Sequence, residues 1–280
     1  MAELPWGRRF LMCPPEHFGV LYEINSWMST AVAVDLERAQ EQWDTLVATL
    51  RAAGAEVEVQ APVAGLPDLV FTANAGLVNG DQFVPTRFRH PERQPETPHD
   101  IAWFRDRGWR VDELPDGVAH EGAGDALPFR DVLVSGYNQR SDLASHAPLA
   151  ALTGAQVVSL RLHDPRLYHL DITFCPLDDR RAIVAPSAWD AAGARAIDEL
   201  VPEPLVVDRE AAYGFVCNSV VVGRTIVMPF CPVEVGRQLE TWGFDVQVVD
   251  VSEFQKAGGA CRCLTLALDV TVGVPPDAAG

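Results

Sequence analysis

The sequence predicts an α/β fold made of five copies of one strand–strand–helix–strand unit, and three observations carry that expectation. Helical stretches end in glycine and run directly into a strand at several places along the chain. Short β-rich pairs joined by tight turns stand upstream of helices. Polar residues mark the starts of the units at a nearly constant spacing.

The helix-to-strand passages come first. Residues 35–53 carry Leu36, Ala39, Trp43, Leu46, Val47 and Leu50 at the spacing of one helical stripe. Gly54 follows where helices commonly end in left-handed backbone, and residues 55–59 then alternate as a strand does. The same order recurs at 101–107 with Gly108 and a strand from Trp109. It recurs again at 143–153 with Gly154, and at 233–242 with Gly243. A fifth helix, residues 187–200, passes through a proline-flanked turn into Leu205-Val206-Val207.

The paired strands are equally regular. Residues 75–78 and 82–84 flank Asn79-Gly80, a dipeptide that favours two-residue hairpins. Residues 172–174 pair in the same manner with 182–184, and 219–222 with 225–227. At the unit starts stand Asn74, Glu121, His169, Asn218 and Cys263, separated by 47, 48, 49 and 45 residues. That period lies within the range of repeat architectures. Units set around an axis would bring a Glu, a His and a Cys, far apart in sequence, into one central pocket. Helix–glycine–strand order alone is common in α/β proteins; the polar residues in phase with it argue for the repeat.

Composition narrows the function classes. A chain of 280 residues can bury a substantial core. No apolar run approaches a membrane span, and the first nine residues lack the apolar segment of a signal peptide. A cytoplasmic protein without membrane contact is expected. The 39 acidic residues against 22 basic ones argue against nucleic acid as a partner, since that binding depends on Lys and Arg neutralising phosphates. The same balance fits a small cationic substrate. Six scattered cysteines show neither a disulfide framework nor a zinc-ligand spacing, so neither a metal nor another cofactor is expected. A homo-oligomer stays open.

Three short segments carry the candidate chemistry. Cys263 follows Gly258-Gly259-Ala260-Cys261-Arg262, where two glycines permit close backbone approach to a ligand. Taken alone, its thiol reads as one more small buried hydrophobe. Cys261 would share its strand face and is assigned a supporting part. His169 and Asp171, in Tyr168-His169-Leu170-Asp171, would point the same way along a strand. The imidazole could protonate a leaving amine and later deprotonate water, or be a satisfied core histidine. Glu121 and Asp125 lie in His120-Glu121-Gly122-Ala123-Gly124-Asp125. Carboxylates match the fork of a guanidinium, so Glu121 and Asp171 are expected to grip opposite edges of such a substrate. Turn chemistry is the alternative for this loop, and Asp125 ranks below Glu121.

These segments resemble the three signatures of the guanidino-modifying (pentein) superfamily, and residues 12–15 and 22–25 are similar to its N-terminal module. The resemblance covers essentially the whole chain. It implies a five-bladed α/β propeller of ββαβ modules, one catalytic domain over residues 1–280. It also implies a mechanism. Cys263 attacks the guanidinium carbon, Glu121 and Asp171 hold its nitrogens, and His169 protonates the departing amine, leaving an S-alkylthiouronium that water resolves.

Asn74 stands where many deiminases and dimethylargininases carry an Asp. An amide removes a charge and adds a donor, which suits a neutral ureido oxygen. The Asn resembles the arginine dihydrolase branch, which takes arginine to ornithine, carbon dioxide and two ammonia. Dimethylarginine dimethylaminohydrolase, arginine deiminase and amidinotransferase activities are the neighbouring readings. A binuclear-manganese hydrolase and a non-catalytic propeller binding module are the readings from other classes. Arg140 and Arg93 are candidates for the substrate α-carboxylate, with Asn25 as a further pocket residue. Residues 88–100, rich in Pro, Arg and Glu, are either a lid or a plain surface loop.

Overall fold

A computed structural model describes residues 3–272. Five small three-stranded sheets surround one axis, and each is a blade. In the second blade, Gly76–Asn79 runs antiparallel to Gln82–Pro85, which is parallel to Arg110–Val111. The helix Thr97–Arg105 makes that parallel crossover. The third blade uses Ala126–Phe129, Val132–Tyr137 and Gln156–Arg161 around the helix His146–Thr153. The fourth uses Phe174–Pro176, Arg181–Val184 and Glu203–Val206 around Ala191–Leu200. The fifth uses Val220–Val222, Thr225–Met228 and Asp245–Val248 around Val233–Thr241.

The first blade is assembled from both ends of the described chain. Leu266–Ala267 pairs antiparallel with Arg9–Met12, which is parallel to Glu56–Val59 across the helix Leu36–Ala52. The fold is therefore the expected five-bladed α/β propeller of ββαβ units, with the last strand closing the ring onto the first. Burial follows the geometry. The first two strands of the blades are largely buried, whereas the third strands are mostly half-exposed or exposed. The core is thus an apolar annulus around the axis, with helices on its outside.

The helix Leu36–Ala52 shows how local sequence produces this packing. Asp35 accepts from the Arg38 amide and caps the helix start. Ala39, Trp43, Leu46, Val47 and Leu50 face inward and are buried, as their spacing predicts. Leu46 is fully buried, so its truncation to Ala costs about 2–5 kcal/mol. Gly54, Gly108, Gly154 and Gly243 all have positive φ, as expected of residues that stop a helix before a strand.

Several boundaries differ from the sequence reading. The second helix begins at Thr97, because Pro98 suits a first helical turn and Asp100 is buried with it. Residues 88–100 are exposed at Arg89, Glu92, Gln94 and His99, while Arg93, Glu96 and Asp100 are buried. The fourth helix begins at Ala191, capped by Asp190 onto the Gly193 amide, after a separate turn at Pro186–Ala188. Leu170–Ile172 is a 3-10 turn rather than strand. Cys261 to Leu264 is also a turn, so Cys261 and Cys263 do not share a strand face. No helix among the described residues is long and apolar enough to cross a membrane.

Candidate active site

The segments leading into the first strands of the five blades meet at one end of the axis. Hydrogen bonds tie every neighbouring pair. Asn74 Nδ2 donates to the Glu121 carbonyl at 3.0 Å, and the Leu170 amide donates to Asp125 Oδ1 at 3.0 Å. Asn218 Nδ2 donates to the Asp171 carbonyl at 3.2 Å and to Cys263 Sγ at 3.1 Å. Asn218 Oδ1 accepts from the Arg262 and Cys263 amides at 3.0 and 3.2 Å. The Ala73 amide closes the ring by donating to the Cys263 carbonyl at 3.1 Å. Each unit start thus orients the next.

Close packing at Gly124 belongs to the same ring. A Cβ there would stand 2.3 Å from Asn74 Nδ2, so any side chain at 124 would displace the Asn74 amide. The Glu-Gly-Ala-Gly-Asp loop is therefore shaped around its neighbour. Asp125 is fully buried, accepting from Ser141 Oγ at 2.6 Å and from the Leu170 amide. It fixes the turn that carries His169 and Asp171, and it is absent from the cavity wall.

Cys263, His169, Glu121 and Asp171 come together as the sequence leads one to expect. The Cys263 thiol donates to Asp171 Oδ2 at 3.3 Å. Asp171 Oδ1 is buried with no hydrogen-bond partner among the described residues. Burial pushes the Asp171 carboxyl up to about 7 against the opposing pull of the thiol, Arg262 and Asn218. Burial, and then the charge of Asp171, raise the Cys263 thiol well above its ordinary value. The buried thiol is therefore held protonated beside a carboxylate oxygen that has no hydrogen-bond partner among the described residues.

Glu121 sits differently from the expectation that it holds a substrate edge. Its Oε2 lies 2.7 Å from His169 Nε2 and accepts from Arg140 at 3.1 Å. Burial works against its charge, but Arg140 and His169 outweigh burial and hold it below the usual carboxylate range. Its carboxylate is committed to the imidazole. Arg140 also donates to the Ile24 carbonyl at 3.1 Å and lies 4.6 Å over the Tyr168 ring.

A narrow cavity opens onto this group, with Cys263, His169, Asn74, Arg93 and Arg140 in its wall. Arg93 donates to Asn74 Oδ1 at 2.9 Å and to both Glu96 oxygens at 2.9 and 2.8 Å. Asn74 spends one amide hydrogen on Glu121, which leaves the other for the cavity. Asn25 lines the cavity too. Its side chain accepts from the Trp27 and Met28 amides and donates to the Ala257 carbonyl, pinning residues 24–28 over the pocket. That stretch, with Ile24 and Met28 in the wall, covers the site.

Two residues were missed. Asn218 stands on the 47-residue period, so its place was visible in the spacing, yet a neutral side chain suggested no chemistry. Asp68 had no such signal. It is 1% exposed, accepts from Tyr22 at 3.0 Å, and leaves Oδ1 without a partner among the described residues in the same cavity wall.

This geometry has relatives. The profile of N,N dimethylarginine dimethylhydrolase, eukaryotic, matches residues 23–270. The chain belongs to that family, and so to the guanidino-modifying superfamily. It is 39% identical over 264 residues to N(G),N(G)-dimethylarginine dimethylaminohydrolase of Mycobacterium tuberculosis, covering 94% of this chain and 87% of that protein. It is 44% identical over 274 residues to the bifunctional arginine dihydrolase/ornithine cyclodeaminase ArgZ of Synechocystis, covering 96% of this chain. The chain spans only 38% of ArgZ's length. The crystal structure of the N-terminal domain of an ArgZ mutant bound to substrate superposes with a TM-score of 0.90 at 43% identity. That match covers 95% of this chain and 98% of that domain. The dimethylarginine dimethylaminohydrolase of Pseudomonas aeruginosa, at 18% identity and a TM-score of 0.80, shares the fold of this family member.

Proposed function

We propose that this protein hydrolyses the guanidino group of L-arginine with Cys263 as nucleophile and carries the reaction to ornithine, carbon dioxide and two ammonia. The carrying observation is the buried thiol of Cys263 at 3.3 Å from Asp171, with His169, paired to Glu121, in the same cavity wall as Cys263.

A guanidinium entering this cavity brings a positive charge to the free oxygen of Asp171. An opposite charge at close range favours the charged forms of both Asp171 and Cys263. The substrate thereby favours ionisation of its own nucleophile. The thiolate adds to the guanidinium carbon. His169, held by Glu121, gives its proton to the departing ammonia, leaving a thiouronium. The same imidazole takes a proton from water as water displaces sulfur. A second hydrolysis at the resulting ureido carbon releases the second ammonia and a carbamate that yields ornithine and carbon dioxide. Arginine plus two waters balances these products.

Asn74 supports the second step. A carboxylate at this position would repel the ureido oxygen, whereas the free amide hydrogen of Asn74 can hold it. Arg93 and Arg140 suit the α-carboxylate, and Asp68 suits the α-ammonium. Hydrolysis of dimethylarginine is the second reading, favoured by the family profile and by the M. tuberculosis relative. Products from arginine, citrulline, agmatine and the two dimethylarginines, identified by mass, separate the two. Ornithine from arginine is expected; citrulline as the sole end product from arginine overturns the dihydrolase reading.

A further inference from the structure

Asn218 is fully buried where the turn after Phe215 enters the strand Val220–Val222. Its side-chain amide has only one orientation that satisfies the surroundings. Oδ1 accepts from the backbone amides of Arg262 and Cys263 at 3.0 and 3.2 Å, and turning the group over would set an NH₂ against two N–H donors. Nδ2 therefore faces the Asp171 carbonyl at 3.2 Å and Cys263 Sγ at 3.1 Å. Both of its hydrogens are committed. The turn that presents it is held at Phe215, whose φ of 62° is uncommon for a residue with a Cβ. The Asn218 backbone amide donates to the Phe215 carbonyl at 2.9 Å.

A buried amide that served only to tie two turns together would be satisfied by backbone oxygens. One hydrogen here goes to sulfur instead, which is a weak acceptor as a thiol. The same kind of contact is roughly twice as strong once the acceptor carries a charge. A donor already fixed where negative charge develops stabilises that charge without reorganising. Asp171 does the reverse. An ionised carboxylate only accepts, so it holds the thiol proton at 3.3 Å and offers nothing to a thiolate.

The other groups around the sulfur are engaged elsewhere. In the cavity wall, His169 lies against Glu121, Tyr168 donates to the Gly258 carbonyl and Asp68 accepts from Tyr22. Arg93 and Arg140 donate to Glu96 and Glu121. Burial keeps Cys217 and Cys261, on the two turns, neutral, and Arg262 rests over the Trp6 ring. Burial and the Asp171 charge raise the Cys263 thiol, while the backbone at Ala260 and the Asn218 amide pull it down.

We propose that Asn218 is a catalytic residue, the donor that holds the Cys263 sulfur each time it is a thiolate. The inference deepens the functional reading above and rests on Cys263 as nucleophile. As the substrate cation arrives, the thiol proton passes to solvent and the sulfur lone pair forms the bond to the guanidinium carbon. When water displaces sulfur, that pair returns to it, and the same N–H receives the leaving thiolate. A two-step hydrolysis uses the donor in both rounds.

The test is the pH dependence of Cys263 alkylation by iodoacetamide, mapped by mass in the full chain, with no substrate present. Asn218→Asp keeps an acceptor for the two backbone amides and loses the donor; Asn218→Leu has a similar size and neither. In each, the alkylation midpoint should move up by at least about one pH unit relative to wild type. Ser219→Ala removes a 2.7 Å bond to the Val216 carbonyl in the same turn and leaves the Asn218 amide alone. Its midpoint should stay at the wild-type value. With arginine, Asn218→Leu should lower kcat by about tenfold or more, with little change in KM, because Asn218 is outside the cavity wall.

A folded Asn218→Leu protein with the wild-type midpoint overturns the proposal. A shift in Asn218→Asp alone does too, since it belongs to the added charge. So does a Ser219→Ala shift as large as that of Asn218→Leu, which belongs to the turn. Should Asn218→Leu fail to fold, isotope-labelled asparagine in the wild-type chain decides by NMR. Of its five side-chain amides, that of Asn218 should titrate with the alkylation midpoint and stop doing so in Cys263→Ser. A signal indifferent to Cys263 overturns the proposal. The expected alkylation shifts in a protein inactive on every guanidino compound would uphold the donor and sink the functional reading.

Discussion

Cys263 Sγ lies 3.3 Å from Asp171 Oδ2, and the other oxygen of that carboxylate is buried without a hydrogen-bond partner among the described residues. A single thiol hydrogen bond thus links the nucleophile to that buried carboxylate. Two groups that would repel each other when both ionised are poised for the arrival of a cation.

Replacing the sulfur should therefore stop the chemistry and spare binding. Cys263→Ser is expected to lower kcat/KM for arginine by at least about 10⁴-fold. Arginine should still raise its melting temperature. Residual turnover within tenfold of wild type would remove Cys263 as the nucleophile.

The second hydrolysis should depend on the side chain at 74. Asn74→Asp keeps the oxygen that accepts from Arg93 but loses the amide hydrogens. Citrulline should then accumulate from arginine at the expense of ornithine, with the total rate of arginine loss changed less than the product ratio. An unaltered ornithine yield would exclude the amide from the ureido step.

Asp68 carries a prediction about the amino end of the substrate. Asp68→Asn should raise KM for arginine by about tenfold or more, as expected when a charge-assisted contact is lost. KM for 5-guanidinopentanoate, which lacks the α-amino group, should change little. Equal effects on both compounds would place Asp68 in structural support of Arg93 alone.

Asp100 lies outside the pocket and reports on stability. Burial pushes it up to about 7 from 3.8, against the pull of Gln60 and Arg93. Between those values the folded protein keeps a proton that the unfolded chain releases. This contribution is complete below about pH 4 and lost as pH rises through 7. Asp171 and Asp125, raised to about 7 and about 6, act with the same sign. Asp100→Asn retains an acceptor for Gln60 and no longer titrates. The fall in melting temperature from pH 5 to pH 8 should shrink by roughly 2–4 °C in that variant. A fall as steep as in wild type would mean that Asp100 is ionised in the native protein.

Much of this was legible in the chain because the fold repeats. Helix stripes, helix-ending glycines and the Asn79-Gly80 turn are local signals, and each became the element its pattern suggested. The convergence of Glu121, His169 and Cys263 was legible through their common period and through the three signatures that carry the family resemblance. What could not be read was side-chain commitment. Glu121 was expected to face substrate, yet a 2.7 Å contact with His169 and a 3.1 Å contact with Arg140 engage it. The first pairing crosses between blades and the second lies within one, and spacing along the chain encodes neither. Asp68 was invisible for a related reason: it stands off the period, in a 3-10 turn whose burial depends on Arg93 and Tyr22. The 88–100 segment misled because its charged residues looked solvated, while three of them are buried in mutual pairs or beneath Gln60.

The closing of the ring by Leu266–Ala267 on Arg9–Met12 has a consequence for the timing of synthesis. Of the pocket-forming residues, Cys263 leaves the ribosome last, and the strand after it finds its partner in a segment made some 250 residues earlier. A nascent chain can build four blades and most of the cavity without presenting a thiol in it.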